Sequence, residues 1–384
     1  MIEIEDKKDC CGCHACATIC ARNCITMQPD DEGFLYPVVN KDTCTDCGLC
    51  KRVCPFLNQR ESRRPLKVYA AKNKNEDILM KSSSGGIFTL LAEAVINEGG
   101  FVFGAKFDKE WNVVHDWTNN IEGIASFRGS KYVQSTIGNT YQEAKTFLNQ
   151  GKKVLFSGTP CQIAGLKNFL RKEYDNLLTL DMVCHGVPSP LIWQQYLEHK
   201  RKQIGGKNSV ITDISFRDKK QSWQKYSLRL SINDTIYYER ASVNSYLVGF
   251  GKDLYLRTSC HYCNVRGGRS HSDITIGDFW GIQNYYSDIS INQGVSLVFL
   301  NSHKALEVYN TIKPYLQDIE SSYEKGLKSN PSIERSSVLT PYHNKFWELY
   351  KKRGIKAISI MIKRIKYNYP LRIYKKLKSI LKKK

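Results

Sequence analysis

The stretch "KVLFSGTPCQIAGLKNFLRKEYDNLLTLDMVCHG" (residues 153–186) decides the fold class of this chain. Its first part, 153–157, is an apolar run that predicts a buried strand, and a turn at 158–160 follows it. Residues 161–171 carry apolar side chains at helical spacing, and 176–183 form a second apolar run. A strand–helix–strand unit of this length makes its two strands parallel. We therefore predict an α/β domain with a mixed, partly parallel sheet.

Each predicted strand of this stretch is followed by a cysteine. Cys161 and Cys184 stand just beyond the carboxyl ends of the two strands. Because open α/β sheets bind ligands at that edge, we expect the two thiols to lie close together in space. Cys161 has three interpretations at this point: a nucleophile with His185 as its base, a metal ligand, or a thiol without a role.

The first sixty residues contain the cysteine spacing C-x2-C-x2-C-x3-C twice, at 10–20 and at 44–54. This is the spacing of two-cluster bacterial ferredoxins, in which the fourth cysteine of each motif binds the other cluster. Zinc and disulfides are weaker alternatives, because zinc sites rarely repeat this spacing and no export signal is recognisable. Cys11 and Cys24 are expected to be spare thiols. The predicted ligands are Cys10, Cys13, Cys16 and Cys54 for one [4Fe-4S] cluster, and Cys44, Cys47, Cys50 and Cys20 for the other.

The remaining cysteines of the chain are Cys161, Cys184, Cys260 and Cys263. A cubane cluster needs four thiolates, and the C-x2-C pair formed by the last two can chelate as a unit. These four residues are therefore predicted to hold a third [4Fe-4S] cluster, with zinc as the chief rival. The nucleophile interpretation leaves three of the four cysteines unexplained.

Two glycine-containing segments are candidate cofactor contacts. The segment 82–86 precedes a predicted helix, where free backbone N–H groups suit a phosphate, although ordinary serine capping explains the pattern as well. The segment 128–135 mixes cationic and aromatic side chains, which suits an anion and a flat ring but also an exposed loop. The residues that could make such contacts are Ser83, Ser84, Gly85, Gly86, Arg128, Gly129, Ser130, Lys131, Tyr132 and Gln134.

The net charge of +20 is concentrated at the carboxyl end. Residues 351–384 hold 14 Lys and Arg and no Asp or Glu, so the first 350 residues carry 43 basic against 37 acidic side chains. The body is thus only mildly basic, and no nucleic-acid partner is expected. Residues 347–384 mix apolar and basic side chains and predict amphipathic helices that contact an anionic membrane, contact an acidic partner, or stay solvated. We expect a cytoplasmic location, with peripheral contact to the inner membrane face as an extension of it.

Several motifs in order resemble the β subunit family of coenzyme F420 hydrogenases and dehydrogenases. They are "SSSGGIF", "RGSKYVQS", "FSGTPCQIAGL", "CHGVPSP", "LYLRTSCHYC" and "SDITIGDFWG". The resemblance covers about residues 65–300 and implies an FAD-containing α/β domain with an iron–sulfur cluster beside the flavin. It also implies that the candidate contact residues of segments 82–86 and 128–135 bind the flavin. The expected organisation is an α+β two-cluster ferredoxin-like module at 1–60, an FAD and iron–sulfur domain at 61–345, and a helical basic tail at 346–384.

The resemblance and the cofactors together predict an iron–sulfur flavoprotein oxidoreductase. Electrons pass between a redox partner protein or ferredoxin-type carrier and an organic hydride donor or acceptor, through the clusters and FAD. F420 or another small metabolite is the expected substrate. The alternative is a non-catalytic electron-transfer subunit of a larger redox complex. Asp278 and Trp280 either line the flavin or substrate pocket or are structural, and no catalytic residue is assigned.

Overall fold

The computed structural model of the protein describes residues 1–367. The chain begins with a small module built on one antiparallel hairpin, in which Ile25 pairs with Val39. Two helices of one turn each carry cysteines of the two ferredoxin-type motifs. The elements of this module are α1 (Ala15–Thr18), β1 (Ile25–Pro29), β2 (Leu35–Val39) and α2 (Leu49–Arg52).

The rest of the described chain contains two further sheets and the helices that pack on them. The strands are β3 (Lys67–Asn73), β4 (Phe101–Phe107), β5 (Val113–Thr118), β6 (Val154–Gly158), β7 (Leu177–Met182), β8 (Ile211–Asp218), β9 (Ser227–Ile232), β10 (Thr235–Arg240), β11 (Ile274–Asp278), β12 (Ser296–Leu300) and β13 (Leu316–Glu320). The larger sheet has the order β13-β3-β12-β11-β7-β6-β4-β5. Its β4, β6, β7 and β11 are parallel neighbours, and the pairs towards both edges are antiparallel. The predicted mixed, partly parallel sheet and the N-terminal ferredoxin-type module are therefore confirmed.

Helices cover both faces of the larger sheet because successive strand side chains point to opposite sides. Leu155 faces the core under α4 and α10, whereas the next residue, Phe156, faces α6 and α7. The helices are α3 (Glu76–Lys81), α4 (Ile87–Asn97), α5 (Ile124–Phe127), α6 (Thr140–Asn149), α7 (Pro160–Leu170), α8 (Pro190–Gly205), α9 (Ser245–Gly251), α10 (His303–Ile312), α11 (Tyr323–Lys328) and α12 (Pro341–Arg353).

The strand–helix–strand unit predicted from 153–186 is present as β6, α7 and β7, with β6 and β7 parallel. Thr159 and Gln162 form a capping box at the start of α7, and Pro160 occupies its first turn. Arg171 ends the helix in a left-handed conformation with φ of 60°. Because the cap lies at Thr159, Cys161 falls in the first turn of α7, directly after the strand.

The smaller sheet has the order β10-β9-β8, and the hairpin of β9 and β10 turns at Asn233, which has a positive φ of 48°. It packs with α8 around the buried ring of Trp193. The same core includes α12 and a helical stretch over 356–367.

The first part of the predicted basic tail packs against the body of the protein. Its apolar residues enter the core beside α8 and the smaller sheet, and Lys351 forms an ion pair of 3.1 Å with Asp31 of the N-terminal module. The remainder, 368–384, lies outside the described residues. Within 1–367, no helix is long and apolar enough to cross a membrane. The buried residues of this part are Phe346, Trp347, Ala357, Ile358 and Met361.

Candidate functional site

The first predicted set of ligands is brought together by tight turns of the backbone. Gly12 and His14 have positive φ values of 67° and 64°, so the chain reverses between successive cysteines. All four thiols of the set are buried. Burial raises the pKa of Cys16, and negative charge on the other three adds to the increase. The set assembled in this way is Cys10, Cys13, Cys16 and Cys54.

The second predicted set lies nearer the surface of the module. Cys20, Cys44 and Cys50 border a small apolar cluster that also contains Cys24. Cys47 is exposed. The Sγ atoms of Cys20 and Cys24 are 3.3 Å apart, so one of the spare cysteines adjoins a predicted ligand.

The four cysteines that follow residue 54 lie on α7, just after β7, and in or directly after a 3₁₀ turn at 258–262. Cys161 lies in the first turn of α7, with its Sγ 3.2 Å from Thr159 Oγ1. Cys260 belongs to the 3₁₀ turn Thr258–Tyr262, and its Sγ accepts a hydrogen bond of 3.4 Å from the backbone N–H of Val187. Burial raises the pKa of Cys184, as does negative charge on its three partners Cys260, Cys161 and Cys263.

A cubane takes four thiolates, each bound to a different iron atom, and four cysteines are grouped here. Within residues 1–367, no three His, Cys, Asp or Glu side chains are arranged to hold a single metal ion.

Cys11 connects the first and third groups of cysteines, which the sequence did not indicate. Its thiol hydrogen-bonds with Cys13 and Cys161, and these contacts raise its pKa well above the ordinary value. Gly165 of α7 leaves room for the Cys13 thiol, because a Cβ at position 165 would lie 3.0 Å from Cys13 Sγ. The two-cluster module thus packs directly on α7.

The structure does not pair Cys161 with His185, the base of the nucleophile interpretation. His185 Nε2 lies 2.6 Å from Asp253 Oδ1, and the ring packs edge-on against Phe250. The nearest partners of the Cys161 thiol are Cys11 and Thr159.

The two predicted cofactor segments meet at the same edge of the sheet. The backbone N–H of Ser130 donates a hydrogen bond of 2.7 Å to Ser83 Oγ. Ser84 Oγ donates to the carbonyl oxygen of Val295, and a Cβ at Gly85 would overlap the carbonyl oxygen of Ala71. Glycine is therefore required where this segment crosses the sheet. Gly86 follows with φ of 75° and begins α4.

The cationic residues of the second segment are half-buried. Arg128 Nε donates to Thr89 Oγ1 of α4 at 3.1 Å. Lys131 donates to the carbonyl oxygen of Ser126 at 2.8 Å, and burial lowers the pKa of Lys131 to about 7. Gly129 is exposed between them.

Gln134 lies away from these residues, although the sequence grouped it with them. Its side chain is buried, donates to the carbonyl oxygen of Cys11 at 2.9 Å and accepts from Arg257 at 3.0 Å. It contacts the cysteine region rather than the loop at 82–86.

A buried ion pair lies beside the cofactor segments and was missed at the sequence level. Arg217 binds both oxygens of Asp278, at 2.7 and 3.2 Å, and also contacts the hydroxyl of Tyr132. Trp223 Nε1 donates to Asp278 at 2.7 Å, and its ring stacks on Trp280 with centroids 4.6 Å apart. The Asp278 carboxylate therefore holds the side chains of Arg217 and Trp223 in place. No local pattern of the sequence indicates this pair, because Arg217 and Asp278 are 61 positions apart and tertiary packing brings them together.

Lys219 is a second buried cation at this edge. Its Nζ donates to the carbonyl oxygen of Ser84 at 3.3 Å, and it also contacts the carbonyl oxygens of Leu79 and Gln293. Burial lowers the pKa of Lys219 to about 7. Through these hydrogen bonds Lys219 connects the segment 79–84 to the end of β8.

Comparison with known protein families indicates the class of protein to which the chain is similar. Residues 9–58 match the family model of the 4Fe-4S dicluster domain, so this part of the chain is an iron–sulfur module of the electron-transfer class. Residues 151–319 match the family model for the carboxyl-terminal part of the coenzyme F420 hydrogenase/dehydrogenase beta subunit. This part of the chain belongs to that family, which confirms the resemblance seen in the motifs.

Two curated proteins and one solved structure are similar to the chain. Coenzyme F420-dependent sulfite reductase of Methanocaldococcus jannaschii is 22% identical over 90% of this chain, which spans about half (53%) of that protein. An uncharacterized protein of the same organism is 22% identical over 75% of this chain and 85% of its own length. A chain of the F420-reducing [NiFe] hydrogenase complex from Methanosarcina barkeri gives a TM-score of 0.45 at 18% identity, covering 78% of this chain and 92% of that chain.

Proposed function

We propose that the protein is an iron–sulfur flavoprotein oxidoreductase that passes electrons between a one-electron carrier and an organic hydride donor or acceptor. The observation that carries this proposal is the convergence of Cys161, Cys184, Cys260 and Cys263 next to the two-cluster module. A two-cluster module moves single electrons, and a third group of four thiols on its inner side supplies the next acceptor. In this proposal the module spans 1–60 and the FAD and iron–sulfur domain 61–345.

The third cluster is proposed on those four cysteines because their surroundings suit a buried anionic group. Cys161 stands at the positive end of α7, where the helix dipole favours thiolate. The buried guanidinium of Arg266 donates to the carbonyl oxygen of His185 at 2.8 Å and lowers the pKa of Cys263, which burial otherwise raises. Both features offset the negative charge that four thiolates bring.

FAD is proposed at the edge formed by segments 82–86 and 128–132. Because β3, β6, β7 and β11 run in one direction, their carboxyl ends place these segments and Cys184 along one edge. Arg128 supplies positive charge there for a pyrophosphate, and a bound anion would raise the pKa of Lys131 and Lys219 and so favour their charged forms. When bound, FAD exchanges single electrons with clusters and a hydride with an organic molecule.

We infer the order in which electrons pass through the clusters from the exposure of their cysteine ligands. Cys47 is exposed, whereas Cys10, Cys13, Cys16 and Cys54 are buried, the last set lying towards α7. We therefore place the redox partner protein or ferredoxin-type carrier on the side of Cys47. The small-molecule substrate is placed at the opposite end, and F420 is the first compound to test because relatives of this chain are named for it.

A second candidate is a non-catalytic electron-transfer subunit, with the chemistry on another polypeptide. The match of residues 9–58 to a 4Fe-4S dicluster domain supports this alternative, because such a module carries electrons without a substrate site of its own. The two candidates differ in flavin content and in turnover by the isolated chain.

The deciding experiment is anaerobic purification followed by determination of iron, sulfide, zinc and flavin per chain. We expect about twelve irons, about twelve sulfides and one FAD, because three cubanes each hold four irons. About eight irons with zinc would contradict the third cluster. Twelve irons without flavin would support the electron-transfer subunit instead.

A further inference from the structure

Arg257 crosses from the larger domain into the two-cluster module and is fully buried. Its Nε donates to the carbonyl oxygen of Cys10 at 2.7 Å, and its Nη2 donates to the carbonyl oxygen of Leu35 at 3.0 Å. Its Nη1 donates to Gln134 Oε1 at 3.0 Å. The guanidinium therefore joins the two sides of the contact between the module and the domain.

The same guanidinium approaches a predicted cluster ligand directly. Arg257 Nη2 lies 3.5 Å from Cys10 Sγ. The charge also lies over the ring of Tyr36, 4.1 Å from its centroid. Gly12 makes the approach possible, since a Cβ at that position would come within 2.7 Å of Arg257 Nη1.

The hydrogen-bond partners of Arg257 are neutral carbonyl and amide oxygens and one thiol. Burial lowers the pKa of Arg257, but the negative charges near it, Cys10 first among them, raise the pKa overall, and a guanidinium keeps its proton in proteins. A buried charge requires compensation, and the thiolates facing Arg257 are the groups that can supply it. A cluster bound by Cys10 would thus be the counter-charge of Arg257.

We propose that Arg257 is a positioning residue that raises the reduction potential of the cluster held by Cys10 while fixing that cluster against α7. Reduction adds one negative charge to a cubane, and a buried cation with an N–H directed at a ligand sulfur stabilises the reduced form. The buried cluster then accepts electrons from the exposed one more readily. This inference rests on the ligand assignment and electron path of the proposed function.

The test is an anaerobic redox titration followed by electron paramagnetic resonance on the full-length, cluster-loaded protein. The variants are Arg257→Met, which removes the charge at similar volume, and Arg257→Lys, which keeps it. Arg201→Gln is the matched control, because Arg201 lies on α8 and pairs with Glu198 of the same helix. Each is also made in a Cys161→Ser background, where only the two N-terminal midpoints are expected.

We expect Arg257→Met to move one of the two N-terminal midpoints to a more negative potential, Arg257→Lys to restore most of the shift, and Arg201→Gln to change neither. Unchanged midpoints, or equal shifts of both, in a variant that retains its iron would overturn the inference. If Arg257→Met loses iron, Gln134→Glu replaces it, because a carboxylate 3.0 Å from Arg257 should neutralise the charge and lower the same midpoint. Iron and flavin contents of the unsubstituted protein decide the proposed function separately.

Discussion

Cys11 and Cys161 are neighbours in space, yet we expect opposite results when each is replaced. The Cys161 thiol belongs to the group of four that carries the proposed third cluster, whereas Cys11 is an extra thiol between two groups. Cys161→Ser should lose about a third of the iron and leave the N-terminal clusters in place, while Cys11→Ala should keep all of it. Iron and sulfide determination on the anaerobically purified variants is the measurement.

Full iron retention by Cys161→Ser would show that the third group binds no cluster. Loss of iron from Cys11→Ala would instead make Cys11 a ligand and require a new assignment. Cys11→Ala serves as the control because it removes a buried thiol in contact with Cys161.

Single residues also show where sequence reasoning reached its limit. The four-cysteine groupings came from spacing and counting, and the structure brings Cys161 and Cys184 together as the strand ends required. Gln134 shared a motif with Tyr132, but its side chain turns to Cys11 and Arg257. The backbone bends at Val133, between these two residues, so membership in a motif does not fix which site a side chain serves.

Among the helices, α7 carries the contact that joins the two-cluster module to the sheet. Gly165 faces Cys13, and an alanine there would place its Cβ 3.0 Å from both Cβ and Sγ of that cysteine. We expect Gly165→Ala to lower the free energy of unfolding by about 1–3 kcal/mol through overpacking and to reduce iron content at the first cluster. Thermal unfolding and iron determination test this.

Gly251→Ala is the matched control for that substitution. Gly251 also lies in a helix, α9, and a Cβ there would meet no atom within 4 Å. It should leave both iron content and melting temperature close to those of the unsubstituted protein. Equal behaviour of the two variants would contradict a specific role for the close packing on Cys13.

Element boundaries followed the local sequence closely, since the strands and helix expected between 153 and 183 begin and end within about two residues of those found. The order of the strands in the sheet and the contacts between distant segments did not follow from the local sequence. Nothing local indicates that β3 lies between β12 and β13, or that the segment after it meets Ser130. Those contacts depend on strand order, which is set by packing across the whole sheet.

At the scale of the molecule, the basic carboxyl-terminal region divides into two parts. Removing 368–384 takes away seven Lys and Arg and keeps every contact among residues 1–367. Removing 351–384 also takes away the buried Ile358 and Met361, each of which stabilises the fold by about 1.5–3 kcal/mol. We expect the chain ending at 367 to melt near the full-length protein and the chain ending at 350 to melt well below it.

The chain ending at 367 then serves to test the proposed contact with an anionic membrane. The apolar side chains of 346–361 are largely in the core, so contact with vesicles would have to come from 368–384, whose sequence mixes Leu and Ile with Lys and Arg. Salt-sensitive sedimentation with vesicles of anionic phospholipid should fall after removal of 368–384. Binding that is the same with and without 368–384 would contradict a membrane role for this segment.

The two-cluster module, the parallel strand–helix–strand unit and the family match of residues 151–319 could be predicted from the sequence, because they depend on short-range spacing. Three contacts became visible in the folded protein alone: Cys11 with Cys161, Arg257 with Cys10, and Asp278 with Arg217. Each of those contacts joins residues more than sixty positions apart. Their proximity follows from strand order and domain packing, and these depend on burial summed over the whole chain rather than on any local pattern.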